Sequence, residues 1–275
     1  GKVMSFARKA LCLPALLLLA TPLIADEVIY TEDFESVVLG PNVDEPNPPQ
    51  NEAWSPDGPE GWTVENDLAA ENGVTEWKGW TFADGIWWKL AAGDQDRRLF
   101  TDAPDGLAVG IVAVADPDEY DDMNGAAGGG FNTQLLSPPI AVNNAGPESI
   151  IVRFSSSWRP EDQQNARMFV TFDGKGAEQD ILEFLSVPGW ATLVSMPNDG
   201  LDEEFMNDLE NVNETLELTV KNPRGSREMT LVWEMTDATN DWWWAIDNVE
   251  VSTSAFGVDA AGKATTTWGE MKRLR

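Results

Sequence analysis

The 275-residue chain contains no histidine and a single cysteine, Cys12. Without imidazole, Ser-His-Asp and Cys-His catalytic arrangements are excluded, as is every metal site that needs a histidine ligand. A metal ion would have to be held by oxygen atoms, which are the ligands that calcium takes. One cysteine cannot form an internal disulfide, so we expect the hydrophobic core alone to stabilise the fold.

Basic residues are also scarce, since 18 Lys and Arg stand against 47 Asp and Glu, for a formal net charge of −29. A surface of this charge repels nucleic-acid phosphates and anionic lipid headgroups, which excludes a nucleic-acid partner. Hydrophobic residues make up 42% of the chain and 13 residues are tryptophan. This composition is typical of a folded protein and not of a disordered acidic chain.

The segment 1–25 has the layout of a secretory signal peptide. A basic start with Lys2, Arg8 and Lys9 precedes an apolar run over 10–19, and Ala25 stands before an acidic segment. The run is too short for a comfortable membrane span. We therefore predict cleavage after Ala25 and a secreted or cell-surface bacterial protein without a membrane span, with retention as an anchor as the alternative.

Short alternating apolar runs, separated by Gly, Pro and Asn, fill 26–254. "SIIVRFSSSW" and "EMTLVWEM" are examples, with Met229, Leu231 and Trp233 on one face of the second run. This pattern predicts an all-β, two-sheet antiparallel jelly-roll sandwich. The segment "LDEEFMNDLENV" over 201–212 spaces its apolar residues by four, four and three, which predicts one short surface helix.

Two other segments interrupt the strand pattern. The proline-rich segment 39–60 is predicted to be a long loop. The tail 255–275 reverses the charge balance with Lys263, Lys272, Arg273 and Arg275, and it is predicted to lie outside the sandwich.

Four short motifs together resemble a known family. They are an opening "DFE", a central "NTQLLSPPI", the following "SIIVRFSSSW" and a closing "WWWAIDNVEV". The set resembles the MAM domain and related bacterial jelly-roll and carbohydrate-binding modules. The resemblance implies an extracellular two-sheet sandwich used for adhesion or ligand binding, sometimes with a bound cation. The chain departs from it by lacking the cysteines of animal MAM domains and by having Asn248 in place of the second Asp of the closing motif.

Two groups of acids are candidate calcium ligands. Asp33 and Glu35 flank Phe34 near the start of the domain, and Asp247 lies in the closing strand. A sandwich often pairs its first and last strands, so these three carboxylates are predicted to converge, where they would repel one another without a cation. The alternative is that they are exposed acids in an acidic chain.

The second group lies in "ADPDEYDD" after an apolar strand and comprises Asp116, Asp118, Asp121 and Asp122. Tyr120 occupies a position where an EF-hand needs an oxygen ligand, so the segment does not match that motif. An irregular calcium loop and a solvated acidic loop at the end of the sandwich remain the two interpretations.

Candidate ligand-binding residues are the tryptophans of "WKGWTFADGIWWK" and one arginine. Trp77, Trp80, Trp87 and Trp88 either form a stacking platform for sugars or fill a core, and strand alternation would turn Trp87 or Trp88 outward. Arg159 either clamps a carboxylate ligand or forms an internal salt bridge.

The composition and motifs favour a secreted, non-catalytic binding or adhesion module whose partner is a glycan and whose fold holds a structural calcium ion. A self-associating structural protein of a cell surface or matrix is the second interpretation. A glycoside hydrolase with two carboxylates is the third, although no motif singles out the pair that it needs.

Overall fold

The computed structural model describes residues 26–69, 72–91, 100, 107–123, 130–161, 163–173, 177–207 and 212–253. The predicted signal peptide (1–25) and the predicted basic tail (255–275) lie outside the described residues. Within the described part of the chain, no helix is long and apolar enough to cross a membrane.

Two antiparallel sheets pack face to face, which confirms the predicted two-sheet sandwich. The fifteen described strands are β1 Glu27–Glu32, β2 Trp54–Ser55, β3 Thr63–Leu68, β4 Trp80–Asp84, β5 Ile111–Ala115, β6 Phe131–Leu136, β7 Ile140–Ala141, β8 Ile150–Trp158, β9 Asn165–Phe172, β10 Gln179–Val187, β11 Ala191–Met196, β12 Leu201–Asn207, β13 Val212–Val220, β14 Glu228–Ala238 and β15 Trp244–Thr253. The smaller sheet has the order β13-β8-β15-β5-β4-β2, with β1 on β15, and the larger has the order β12-β11-β10-β9-β14-β6-β3, with β7 on β14.

The first and last strands pair, as the sequence predicts. β1 runs antiparallel to β15, with Glu32 opposite Val249. β15 also pairs with β8 and β5, so it lies inside the smaller sheet. This pairing brings the end of β1 close to the middle of β15.

The predicted helix over 201–212 is wrong, because residues 201–207 form β12 at the end of the larger sheet. β12 pairs with β11, where Phe205 stands opposite Leu193. Phe205 is 60% exposed, so the apolar spacing of this segment does not mark the buried side of a helix. Pairing with β11 satisfies the backbone hydrogen-bonding groups instead.

The described residues include two short helices where the sequence predicted none. They are α1 Gly85–Ala91 and α2 Pro117–Asp121, and a 3-10 turn covers Thr75–Trp77. The acidic segment predicted as a loop forms α2, because Asp116 caps its amino terminus and Pro117 occupies its first turn.

The tryptophan triplet places its second and third rings on opposite faces of the smaller sheet, as the alternation of a strand predicts. Trp244 Nε1 donates to Ser156 Oγ at 3.0 Å, and Trp243 Nε1 donates to Ser157 Oγ at 3.2 Å. Adjacent residues of β8 point to opposite faces, and so do the two rings. Trp88 of α1 covers Trp243 edge-on, with ring centroids 5.8 Å apart.

Candidate functional site

The four tryptophans of the predicted sugar platform are buried. Trp77, Trp80, Trp87 and Trp88 are 0–1% exposed. The prediction that Trp87 or Trp88 turns outward is wrong, because both residues lie on α1 and not on a strand. Trp77 stacks on Trp87 with ring centroids 5.3 Å apart. Rings without an exposed face cannot stack on a sugar, so the core interpretation describes these four residues.

Asp116 joins the two helices. Its side chain is fully buried, accepts from Trp88 Nε1 at 2.9 Å and accepts from Glu119 N at 3.4 Å. These bonds fix α2 against α1. Asp116 therefore has a structural role in this fold, whatever else it binds.

The other three acids of the second group are spread over α2 and its end. Asp118 accepts from Asn240 Nδ2 at 2.5 Å, while Asp121 and Asp122 lie at the carboxyl end of the helix. Within the described residues, no three acidic side chains are gathered closely enough to hold a metal ion as they stand. Calcium binding by this group stays a prediction.

Glu35 reaches the segment that precedes β5. Phe34 adopts a positive φ of 58° with its ring buried against Trp62, which turns the chain sharply after β1. Glu35 Oε1 then accepts from Ile111 N at 2.8 Å. Gly110 has a φ of +77°, and a Cβ there would lie 2.1 Å from the same carboxylate oxygen, so glycine is required for this approach.

Asp247 also binds this segment. It is 1% exposed and accepts from Val109 N at 3.2 Å and from Asn248 N at 2.6 Å. Asn248 has a φ of 52° and donates from Nδ2 to Leu107 O at 3.0 Å. The end of β1 and the middle of β15 thus hold residues 107–111 between them.

Asp33, Glu35 and Asp247 are electrostatic neighbours. Burial, followed by the charges of Glu35 and Asp33, raises the pKa of Asp247 to about 7, although hydrogen bonds from Asn248 N and Val109 N lower it. Asp33 and Glu35 are themselves exposed, so the convergence of the three acids on one ion stays a prediction. The two carboxylates that reach residues 107–111 bind backbone amides there.

Arg159 lies at the end of the sandwich in a group that we call the aromatic corner, formed by Arg159, Trp190 and Trp242. Its guanidinium carbon is 3.0 Å from the ring centroid of Trp242 and the residue is 4% exposed. Trp190 meets Trp242 edge-on at 6.5 Å and is 46% exposed. The sequence singled out Arg159, but Trp190 in the short turn "VPGWA" gave no signal of a binding residue.

The outward face of the larger sheet carries two ordered rows of side chains that we call the outer platform. Residues that stand opposite each other on adjacent strands share a face of the sheet. The polar row comprises Glu65, Gln134, Glu234, Arg167, Glu183 and Ser195. The mixed row comprises Thr236, Asn165, Leu185, Leu193 and Phe205.

The two rows are neighbours and point away from the core. On β10, Glu183 and Leu185 are two residues apart and both exposed, while Phe184 between them is buried. On β9, Met168 is buried beside the partly exposed Arg167. A ligand lying on this face would contact both rows.

A hydrogen-bond network fixes the centre of the polar row. Gln134 Nε2 donates to Glu234 at 2.5 Å, and Arg167 Nε donates to the other oxygen of the same carboxylate. Arg167 Nη1 also contacts Asp180 at 3.0 Å and Glu178 at 3.1 Å. Partial burial lowers the pKa of Arg167, but the bonds and charges of Glu234 and Asp180 outweigh this effect and raise it overall.

The sequence could not reveal the outer platform, because its rows exist only through the register of six strands. The one available signal was alternation, which marks outward positions such as Glu183 and Leu185. The pairing of the strands decides which outward-facing residues of different strands are neighbours.

No family model matches the chain, and no curated protein matches it. Among solved structures, it is similar to the K3 cleaved adhesin domain of Lys-gingipain from Porphyromonas gingivalis W83, with 12% identity and a TM-score of 0.42, over 84% of this chain and 100% of that one.

Two carbohydrate-binding modules are also similar in structure. TmCBM61 in complex with β-1,4-galactotriose has 12% identity and a TM-score of 0.37, over 71% of this chain and 90% of that one. A xylan-binding domain from CBM 22 has 12% identity and a TM-score of 0.34, over 84% and 98%. Identities and TM-scores this low do not show what this chain does. The resemblance to MAM domains stays a prediction.

Proposed function

We propose that this protein is a non-catalytic binding module that holds a glycan on the outer platform. The observation that supports this most directly is the pair of adjacent rows, one polar and one partly apolar, on a single exposed face. A glycan offers hydroxyl groups to the first row and the apolar faces of its rings to the second. Six strands at about 4.8 Å spacing give the polar row a length of roughly 24 Å, enough for several sugar units.

The network around Arg167 suits such a ligand because its side chains are held before binding. Arg167 is fixed by Glu234, Asp180 and Glu178, and Glu234 is fixed in turn by Gln134. Side chains that are already ordered lose little conformational entropy when they form hydrogen bonds to a ligand.

The charge of the platform restricts the class of glycan. Glu65, Glu183 and Glu234 outnumber Arg167 in the polar row, and the whole chain carries −29. Uronic-acid and sulfated polysaccharides would be repelled by this field. The ligand class is therefore a neutral polysaccharide.

A depletion assay tests the proposal. The full chain is mixed with insoluble xylan, galactan, cellulose and chitin, and the protein left in solution is measured. We expect retention on at least one of these, and loss of retention in Glu183→Ala/Leu185→Ala, which changes two exposed side chains of the platform. Glu52→Ala/Ile86→Ala makes the matched changes elsewhere on the surface and is expected to bind normally.

Failure of the wild-type chain to bind any of the four would contradict the proposal. Release of reducing sugar from the retained polysaccharide would instead support the glycoside hydrolase interpretation.

We also propose that Asp33, Glu35 and Asp247 bind a structural calcium ion, for which their side chains would have to move closer together than they lie in this structure. Oxygen is the only ligand type that these residues supply, which suits calcium. Support comes from the raised pKa of Asp247, which reflects its burial and the charges of Glu35 and Asp33. A cation between the three would relieve that repulsion.

Self-association is the second candidate function, and the position of β12 favours it. β12 is the terminal strand of the larger sheet and Phe205 on it is 60% exposed. An edge strand with an exposed aromatic residue can pair with another chain. Light scattering of the full chain at rising concentration tests this, since a constant monomer mass would contradict it.

A further inference from the structure

We propose that the aromatic corner of Arg159, Trp190 and Trp242 is a sugar-binding subsite that receives a terminal pyranose ring of the glycan, with Trp190 as the stacking face. The inference rests on the proposed function, because the corner extends the outer platform. It assigns a role to Trp190 and Trp242 that the two rows of the platform do not require.

The backbone conformation and exposure of Trp190 support a binding role. Trp190 has a φ of 57°, in the left-handed region that bulky residues rarely adopt, and it follows Gly189 at 92°. A strained backbone persists where the surrounding structure or a function requires it, and such positions cluster at binding sites. The three-residue turn 188–190 between β10 and β11 uses this conformation and leaves the ring 46% exposed.

In the described part of the chain, Trp242 has a polar group without a hydrogen-bond partner. The indole Nε1 of Trp242 is buried and has no hydrogen-bond acceptor among the described residues. A buried donor without an acceptor is costly, so a rearrangement of the corner that lets a sugar oxygen or a water reach it would be favourable.

Arg159 and Gln164 hold Trp242 in place for this purpose. Arg159 covers the ring at 3.0 Å from its centroid, and Gln164 Nε2 donates to Trp242 O. Trp190 then meets the fixed ring at an interplanar angle of 68°. Two rings at this angle form a corner, in which a sugar ring can lie flat on one and place its edge against the other.

The aromatic corner lies close to the mixed row of the outer platform. Val187 stands opposite Ala191 one step beyond Leu185 and Leu193 of the mixed row, and Trp190 directly precedes Ala191. Trp242 lies beside the start of β9 through Gln164, the neighbour of Asn165 in the mixed row. The corner therefore lies beside the mixed row, at the ends of β9, β10 and β11 that are nearest to it, and a sugar ring bound on the row could reach it along these strands.

Isothermal titration of the full chain with the hexasaccharides of xylan, galactan, cellulose and chitin tests the inference. Trp190→Gly removes the ring, and glycine takes a positive φ without strain, so the turn is expected to fold normally. We expect Kd to rise roughly 10- to 30-fold in Trp190→Gly, because the terminal sugar ring loses the tryptophan on which it stacks. Ile86→Ala, an exposed residue on α1, serves as the control and is expected to keep the wild-type Kd.

Acrylamide quenching gives a second readout. The hexasaccharide is expected to reduce the quenchable tryptophan fluorescence of the wild-type chain and to leave that of Trp190→Gly unchanged. If Trp190→Gly keeps the wild-type Kd while Glu183→Ala/Leu185→Ala loses binding, the aromatic corner is not a sugar subsite. The proposed function would still stand in that case. If the wild-type chain binds neither these hexasaccharides nor any of the four polysaccharides, both fail together.

Discussion

Glu214 shows at the scale of a single residue how the fold sets a pKa. It lies on the buried side of β13 opposite Ser156, is 9% exposed, and its Oε1 has no hydrogen-bond partner among the described residues. Burial raises the pKa of this carboxyl from 4.5 to about 8. Glu214 is therefore protonated in the folded protein at pH values where the unfolded chain ionises it.

Replacing Glu214 with glutamine is expected to remove a pH dependence. Below pH 4.5 both states are protonated, and between pH 4.5 and about 8 only the unfolded state loses the proton, so the free energy of unfolding falls as pH rises. At about pH 9 we expect Glu214→Gln to be more stable than the wild type by roughly 1–3 kcal/mol. Urea unfolding of both proteins at pH 5, 7 and 9 measures this difference in the free energy of unfolding.

The exposed Glu52→Gln is the control for this series and is expected to follow the wild type at every pH. A stability difference between Glu214→Gln and the wild type that does not change with pH would contradict the role of Glu214.

Asp247 is the residue through which the calcium proposal is tested. We expect calcium to raise the Tm of the full chain relative to a chelator, because an ion that binds only the folded state stabilises it. Asp247→Asn should abolish this shift, and Asp121→Asn in the other predicted group should preserve it. Differential scanning calorimetry measures the Tm of the wild type and of both variants. An equal Tm of the wild type with calcium and with chelator would contradict the proposal.

At the scale of elements, α1 covers the outer side of the smaller sheet. Trp88 packs edge-on against Trp243 and donates to the buried Asp116. The other sheet carries the outer platform on its outer side, so the two outward faces differ. One is covered by a tryptophan-rich helix and the other presents exposed rows.

Truncating Trp88 is expected to destabilise the protein without weakening glycan binding. Trp88→Ala removes a buried ring and leaves Asp116 without that donor, at a cost of about 3–5 kcal/mol. Guanidinium unfolding measures the loss, and titration at a temperature where the variant is folded measures binding. A normal stability, or a binding loss as large as that of Trp190→Gly, would contradict the division of roles between the two faces.

How far the sequence predicts these elements depends on what sets each one. Alternation in runs such as "SIIVRFSSSW" predicts β8 because its apolar side faces the core. β12 was mistaken for a helix because Phe205 is exposed, so its apolar spacing carries no information about burial. α1 was missed because "GIWWKLA" is short and apolar on both sides, as a buried strand would be.

The candidate site was predictable only in part for the same physical reason. Asp33, Glu35 and Asp247 could be chosen as candidates because first and last strands often pair, which is a rule of topology that the β1–β15 pairing follows. The outer platform depends on register across six strands, which is settled by the packing of the whole sheet. Trp190 depends on a turn conformation that only the folded chain specifies.

At the scale of the whole molecule, the charge of −29 decides which polymers can approach. Binding of a neutral glycan through hydrogen bonds and ring contacts is expected to change less than about twofold between about 0.05 and about 0.5 M NaCl, since no counterions are exchanged. Anionic alginate should not be retained at low salt. Affinity electrophoresis at the two salt concentrations measures both, and salt-sensitive binding to alginate would contradict the assignment of a neutral ligand.

Hydrogen–deuterium exchange of the full chain, with and without saturating soluble xylan, galactan, cellulose oligomers or chitin oligomers, tests the central claim most directly. The account predicts that at least one of these slows exchange in peptides covering β9, β10 and β11 of the larger sheet and leaves β5 and β8 of the smaller sheet unchanged. Protection confined to the smaller sheet, or no protection by any of the four, would contradict a glycan-binding outer platform.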